Sequence, residues 1–216
     1  AARERRHEFD REAWALVCES GILRLPFPEE YGGLERDLMT TLASLEELGQ
    51  GCEDGGLCFA ATTHMVSSGI AIMRFGSAEQ KQRFLPSICD GARIGAHAIT
   101  EPQGGSDAFR MKTRARRDGD TYVLDGSKTF VSNAPFADMI LVYALTDPAR
   151  GALGGVSVFI VERGSPGLAV GKPIEKMGLR SAPFAEVFLD GCRVPVAITT
   201  PPAPRAPKDG VKASAI

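Results

Sequence analysis

The pattern of apolar and polar positions changes near the middle of the chain. Up to about residue 90, apolar residues recur every three or four positions, as they do on one face of a helix. This pattern predicts helices over 3–20, 38–49 and 55–75, and a fourth that opens at a capping box over 77–80 and ends near Cys89. The third segment is apolar on nearly every side. We therefore expect it to be a buried central helix.

After about residue 91 the chain turns to short runs of β-branched and aromatic residues, separated by turns such as Asp118-Gly119 and Asp125-Gly126. The runs predict seven or eight strands with no helix between them. They are 93–99, 112–117, 121–124, 128–131, 139–145, 156–161, 168–171 and 186–189. Strands in this succession favour an antiparallel barrel or sandwich.

The predicted fold class is therefore α+β. An all-α N-terminal domain over 1–92 is followed by a β domain over 93–195. From Val194 onward prolines and small polar residues dominate, so 196–216 is expected to be a Pro-rich tail or linker that cannot build a core.

Composition excludes several classes of function. A net charge of −2 over 216 residues carries no electrostatic footprint for nucleic acid. Five cysteines without a CxxC pair argue against a disulfide framework or a zinc site, and three histidines are too few for a metal cluster. We expect a cytoplasmic protein with reduced thiols, no signal peptide and no apolar stretch of membrane-spanning length. Because the chain begins with Ala1, the true start is expected to lie upstream.

Two segments carry the candidate chemistry. The first, AITEPQGGSD over 98–107, follows a predicted strand and combines hydroxyls with glycines in a tight loop. The second, KTFVSN over 128–133, brings an aromatic ring and a further hydroxyl. Backbone amides exposed by glycines, with hydroxyls at a strand end, suit a cofactor that has both phosphates and a ring.

These segments resemble the flavin-contacting loops of acyl-CoA dehydrogenases. Three further phrases resemble the same family: PEEYGG over 28–33, FGSAEQKQRFLP over 75–86 and KMGLRSAPFAEVFLDGCRVP over 176–195. The resemblance covers about residues 9–195 and implies the family's N-terminal helical domain and middle β domain. The family's C-terminal helical domain is absent from this sequence.

The resemblance implies FAD as the cofactor. Its candidate binding residues are His97, Ile99, Thr100, Gly105, Ser106, Phe130, Val131 and Ser132. The resemblance implies that the hydroxyl of Thr100 bonds the pyrimidine edge of the flavin ring and that the backbone of Ile99 contacts the ring beside it. Phe130 would cover one ring face, and Ser132 would approach N5, the atom that receives the hydride.

Gly105 and Ser106 would contact a cofactor phosphate or the thioester arm of the substrate, so Ser106 is also a candidate substrate-binding residue. The resemblance places Glu101 in the loop and gives it no part in proton abstraction. Asp107 is expected to bond loop amides. His64 is expected to be a satisfied core histidine.

Two arginines leave alternatives open. Arg180 either orders a loop near the ring or meets solvent. Arg110 stands where the family pattern has a small residue. It would crowd or charge the site, or else meet a phosphate or an acidic carrier protein.

The implied activity is α,β-desaturation of an acyl-CoA or acyl-carrier-protein thioester, with hydride transfer to flavin N5. The family's base comes from the third domain, so no catalytic residue is assigned here. A fragment, a natural short subunit and a degraded copy all remain open. So do a non-catalytic flavin-binding or interaction subunit, and a monooxygenase or oxidase on the same fold. Expected partners are an electron-transfer flavoprotein and further subunits, in a homo- or hetero-oligomer.

Overall fold

A computed structural model describes residues 9–150, 154–195 and 199–200. Within these ranges four long helices precede the sheet. They are α1 (Arg11–Glu19), α2 (Leu38–Gly51), α3 (Gly55–Phe75) and α4 (Ala78–Cys89). The first six residues of the first predicted helix, 3–8, and the predicted tail apart from 199–200 lie outside the described residues.

Short polar side chains fix where the helices begin. Asp10 accepts hydrogen bonds from the backbone N–H groups of Glu12 and Ala13 at 2.9 and 3.0 Å, so α1 starts at Arg11 and not at residue 3 as the pattern predicted. The capping box predicted at the start of α4 is confirmed, with Ser77 and Gln80 each bonding the other's backbone. These caps satisfy N–H groups that have no partner inside the helix.

Helix α3 is the buried central helix that the sequence predicted. Its middle, Thr63–Ile70, widens into a π-helical segment. There the helix passes so close to Phe27 that a Cβ on Gly69 would lie 2.4 Å from the ring atom Cζ. By length and composition alone, α3 is apolar enough to cross a membrane, which corrects the expectation that no such stretch exists. Since 56% of that window is buried inside the protein, its setting is that of a core helix.

The β part forms one curled sheet whose described strands are ordered β6-β7-β3-β2-β4-β5-β8, with β1 paired to β4. The strands are β1 (Gly95–Ala98), β2 (Arg114–Asp118), β3 (Thr121–Ser132), β4 (Met139–Leu145), β5 (Val156–Glu162), β6 (Leu168–Val170), β7 (Phe184–Pro195) and β8 (Thr199–Thr200). Most neighbours are antiparallel, as predicted. The exceptions are the parallel pairs that β4 makes with β1 and, at one residue, with β2. The chain reverses once between β2 and β3 and again between β3 and β4, so β4 runs in the same direction as β2.

Strand β3 corrects one sequence prediction. The runs 121–124 and 128–131 belong to a single strand, and Asp125-Gly126 is not a hairpin turn. Instead, Gly126 has φ +146° and sits at a break in the β3–β7 register, where a side chain would clash with Thr113. A second break between Lys128 and Val131 bends the strand again.

One hydrophobic core crosses the predicted domain boundary. It contains Phe27 and Met65 from the helical part as well as Leu124 and Val142 from the sheet. Polar bonds cross the same boundary, because Nδ2 of Asn133 donates to the carbonyls of Ala60 and Gly95. The division into domains at residues 92 and 93 stays a prediction.

Candidate functional site

The two motif segments meet where β1 ends beside the middle of β3. The backbone N–H of Thr129 donates to the carbonyl of Thr100 at 2.9 Å. This bond brings Thr100 next to Phe130 and thereby joins the two candidate segments. Among the described residues, the Thr100 hydroxyl has no hydrogen-bond partner. It is therefore available to a ligand.

Phe130 is held out of the sheet by an unusual backbone. Its φ of 55° lies in the left-handed region, which side chains other than glycine seldom adopt. The register break between Lys128 and Val131 produces this geometry and leaves Phe130 61% exposed. The ring contacts Phe184 edge-on, with centroids 5.5 Å apart. A large aromatic surface is thus displayed at some conformational cost, which is typical of functional sites.

The other residues predicted on these strands differ in how a ligand could reach them. Ser132 is half-buried at the end of β3. Val131 turns its side chain into the core, being 1% exposed, so only its backbone is available. His97 is half-buried with its ring edge-on to Tyr143, and burial, followed by the charge of Lys128, lowers the pKa of His97. The carbonyl of Ile99 already accepts a bond from Nζ of Lys128 at 3.2 Å.

The glycine-rich loop folds back on itself before it reaches Gly105. The backbones of Glu101 and Gly104 exchange hydrogen bonds of 3.1 and 3.3 Å and close a tight turn over 101–104. Gly105 and Ser106 follow on an exposed turn. In the described part of the chain, no hydrogen bond joins them to Thr100 or Ser132. Their contact with a phosphate or thioester arm stays a prediction.

Beneath these segments lies a buried ion pair to which the sequence reasoning gave no role. Nζ of Lys128 lies 2.9 Å from Oε1 of Glu101, and the two side chains are 0% and 3% exposed. The signal was present in the KTFVSN motif, because a lysine inside a strand that enters the core requires a buried partner.

The Glu101 carboxylate bonds donors from several parts of the loop as well as Lys128 of β3. It accepts hydrogen bonds from the backbone N–H groups of Lys112 and Thr113 at 2.6 and 2.9 Å, and from the Thr113 hydroxyl and the Gln103 amide. Burial by itself would raise the pKa of Glu101, but the bonds from Thr113, Lys112 and Lys128 outweigh it and lower that pKa to about 2. A carboxylate so fully bonded is a poor proton acceptor, which agrees with its assignment to the loop.

A side-chain contact decides the prediction for Asp107 and leaves the one for Arg110 open. Asp107 was expected to bond loop amides, and that is wrong: it makes no capping bond but faces the guanidinium of Arg110 at 3.6 Å. Arg110 is 83% exposed beside a cleft of about 250 Å³. Its meeting with a phosphate or a carrier protein stays a prediction.

Arg180 and Lys176 build a second cleft near Phe184. Nε of Arg180 donates to the carbonyl of Lys176 at 3.0 Å, so of the two alternatives left open, the arginine orders its own loop. Nζ of Lys176 lies 5.0 Å from the ring centre of Phe184, and burial lowers the pKa of Lys176. The cleft, about 240 Å³ in volume, is lined by the segment 173–176 with Arg180 and Pro183.

His64 is the satisfied core histidine that was predicted. Its Nδ1 accepts from the N–H of Gly95 at 3.0 Å, so Nε2 carries the proton and donates to the carbonyl of Ile88 at 2.9 Å. Burial lowers the pKa of His64 to about 4, against weaker opposing effects of the Ile88 bond and nearby carboxylates. The ring is neutral at pH 7. It belongs to the core and not to the site.

The surface around Thr100, Phe130 and Ser132 therefore suits a flat ring with polar edges. It offers a free hydroxyl, an exposed aromatic face and a second hydroxyl at the strand end. Within the described ranges, no three His, Cys, Asp or Glu side chains lie close enough together to hold a metal ion.

Comparisons with known proteins identify the family. The family model for the acyl-CoA dehydrogenase N-terminal domain matches residues 1–92, and the model for the middle domain matches residues 96–192. An L-prolyl-[peptidyl-carrier protein] dehydrogenase of Pseudomonas fluorescens is 47% identical over 188 residues, which are 87% of this chain and 49% of that protein. The chain thus spans about half the length of the curated relatives that it matches.

Solved structures show the same fold. The prolyl acyl carrier protein oxidase AnaB superposes with a TM-score of 0.88 at 42% identity, over 91% of this chain and 52% of AnaB. PigA, solved with FAD and proline, superposes with a TM-score of 0.89 at 36% identity, over 93% of this chain and 52% of PigA.

Proposed function

The chain belongs to the acyl-CoA dehydrogenase family, and from this premise we propose that it is the flavin-binding part of an FAD-dependent acyl-thioester dehydrogenase. The observation that carries the proposal is the junction of Thr100 with Phe130 through the bond from Thr129 N–H to Thr100 O. It brings Thr100, with its unbonded hydroxyl, close to the exposed Phe130, and Ser132 follows two residues further along β3. The residues present fit an isoalloxazine ring.

Each of these residues has a role that its own chemistry supports. The hydroxyl of Thr100 would bond the polar pyrimidine edge of the flavin, and Phe130 would cover one ring face. Ser132 would bond the ring near N5. Bound FAD would supply the acceptor for the hydride that leaves the β-carbon of the thioester. His97, Ile99 and Val131 would line the same ring, Ile99 and Val131 through their backbones.

The base for α-proton removal is proposed to come from outside the described residues. Glu101 cannot serve, because its oxygens are occupied by Lys128 and by the loop donors. A third domain or a partner subunit would have to provide the base.

The substrate class is proposed to be an acyl or aminoacyl thioester on a carrier protein, in preference to a CoA thioester. Relatives named for prolyl groups on carrier proteins support this choice. The exposed Arg110 beside the Gly105–Ser106 turn gives such a partner a cation to meet. An electron-transfer flavoprotein as acceptor, a cytoplasmic location and assembly into an oligomer remain proposals of the same kind.

The test begins with colour. The purified intact protein is expected to carry a flavin absorption band, and anaerobic addition of a prolyl-loaded carrier protein should bleach it, while butyryl-CoA should bleach it more slowly. A band that no thioester bleaches would favour a non-catalytic flavin-binding subunit. Absence of any flavin after incubation with FAD would overturn the proposal.

An oxidase is the second candidate, because a structural relative is named as one. Such an enzyme would pass its electrons to oxygen and not to a protein acceptor. Hydrogen peroxide formed in stoichiometric amount with product would select the oxidase. Turnover that requires an added acceptor would select the dehydrogenase.

A further inference from the structure

The buried pair of Glu101 and Lys128 lies directly under the candidate flavin surface. Glu101 follows Thr100 in the chain, and Lys128 precedes Phe130 by two residues. We propose that Glu101 and Lys128 are positioning residues, which fix the loop 99–113 against β3 so that Thr100 and Phe130 keep the spacing that a flavin ring requires. This inference rests on the proposed function.

The hydrogen bonds of the pair indicate that it fixes the position of the backbone around Thr100. Nζ of Lys128 donates to the carbonyl of Ile99 at 3.2 Å and to Oε1 of Glu101 at 2.9 Å. It therefore holds the backbone of the residue before Thr100 and the side chain of the residue after it. Glu101 in turn bonds the N–H groups of Lys112 and Thr113, eleven and twelve residues further along the chain. The two ends of the loop are thus held at one point, and Thr100 lies beside that point.

Energetics gives a reason to look beyond stability. A buried ion pair is expensive to desolvate, and replacing both partners with neutral groups of similar size is often harmless to stability. The presence of the pair at this place is then explained by the geometry that it specifies. Phe130, with φ of 55°, needs a surrounding that holds an unfavourable backbone in place. Lys128, fixed on the register break next to it, provides such a surrounding.

The experiment separates position from stability in the intact protein. Glu101→Gln, Lys128→Met and the double variant remove the charges with little change of volume. Asp118→Asn is the matched control, since Asp118, the last residue of β2, makes an exposed ion pair with Arg193 of β7 at 3.0 Å. For each protein, the Kd of FAD, the flavin absorption maxima and the free energy of unfolding without flavin are measured.

The double variant is decisive, because no lone charge is left buried in it. We expect its free energy of unfolding to recover most of the loss seen in Lys128→Met, while its Kd for FAD stays raised by about tenfold, a typical effect of removing residues that support a bound group. Its flavin absorption maxima should also move, whereas Asp118→Asn should match the parent in all three measurements.

A folded double variant with the parent's Kd and the parent's spectrum would overturn the inference while leaving the proposed function intact. A parent protein that binds no FAD would instead overturn the proposed function, and this inference with it. A Kd that rises only in variants whose unfolding free energy has fallen in proportion would assign the pair to stability alone, which also overturns the inference.

Discussion

Among the buried polar groups of the described residues, two clusters are built on opposite principles. His64 joins α3 to β1 as a neutral ring, with one nitrogen accepting from Gly95 and the other donating to Ile88. Glu101 and Lys128 join the loop to β3 as full charges with almost no exposed surface. The first cluster satisfies backbone groups at a packing interface. The second accepts a larger desolvation cost next to the candidate cofactor surface.

The difference shows where function is to be sought in such a core. A neutral side chain whose two polar atoms are both satisfied is explained by the backbone groups that it serves. A charged pair is not explained in this way, because neutral residues could fill the same space. The position of the pair, between two segments that meet at Thr100 and Phe130, supplies the remaining explanation.

The largest loss of stability is expected when the charged cluster loses Lys128. Lys128→Met leaves the Glu101 carboxylate buried without its cation, and we expect the free energy of unfolding at pH 7 to fall by about 3–5 kcal/mol. Urea denaturation followed by circular dichroism measures it. A loss below about 1 kcal/mol would mean that water reaches Glu101 and that the cluster is not truly buried.

The pH dependence of stability tests the neutral cluster. Because the native pKa of His64 is about 4, against 6.5 for an exposed histidine, only the unfolded chain binds this proton between these values. Stability from this source is complete above pH 6.5 and is lost as the pH falls. We expect a loss of about 2–3 kcal/mol between pH 6.5 and 4.5.

The matched variant for that experiment is His64→Gln, whose amide can both donate and accept but does not titrate. Its unfolding free energy should change less over the same pH range. The range stops at 4.5 because Glu101 contributes below it. Its native pKa of about 2 lies under its ordinary 4.5, so its stabilisation is present above pH 4.5 and is lost on further acidification. Equal slopes for the parent and His64→Gln would exclude the histidine as the source.

A somewhat smaller effect is expected where α3 packs on β1 beside the histidine. A Cβ on Gly95 would lie 2.5 Å from Cβ of Ser68, so Gly95→Ala should cost about 1–3 kcal/mol by overpacking. Gly49→Ala is the control, since Gly49 lies in α2 with nothing within 4 Å of the added carbon and should gain up to about 1 kcal/mol. Thermal unfolding measures both variants. A lower melting temperature for Gly95→Ala beside an unchanged or higher one for Gly49→Ala would assign the loss to close packing between α3 and β1.

Much of this arrangement could be predicted from the sequence, and the failures have physical causes. The central helix α3 was predicted because its sequence is apolar on nearly every side, and His64 was predicted to be a core residue because it lies on that helix. The start of α1 was misplaced because charges on a helix face look alike before and after its cap at Asp10. The single strand β3 was divided because Asp-Gly normally marks a turn, whereas here Gly126 occupies a register break.

The pairing of Glu101 with Lys128 could not be predicted from local pattern, since it joins residues 27 positions apart through the fold. Thr100, Phe130 and Ser132 were identified only through the family resemblance. Taken singly, a hydroxyl at a strand end and an aromatic in a strand are ordinary structural residues.

The smallest change in stability is expected at Phe130. This residue tests most directly the difference between side chains that serve the fold and side chains that serve the candidate cofactor surface. Phe130→Gly removes a side chain that is 61% exposed and relieves a left-handed backbone, so the flavin-free protein should be as stable as the parent or more stable by up to about 1 kcal/mol. The same variant should bind FAD more weakly, because an aromatic face is lost. Phe130→Leu keeps the strain and loses the ring, so it should weaken FAD binding with no gain in stability. If Phe130→Gly lowered stability by more than about 1 kcal/mol, the contact with Phe184 would be structural, and Phe130 would belong with His64 as a residue explained by the fold alone.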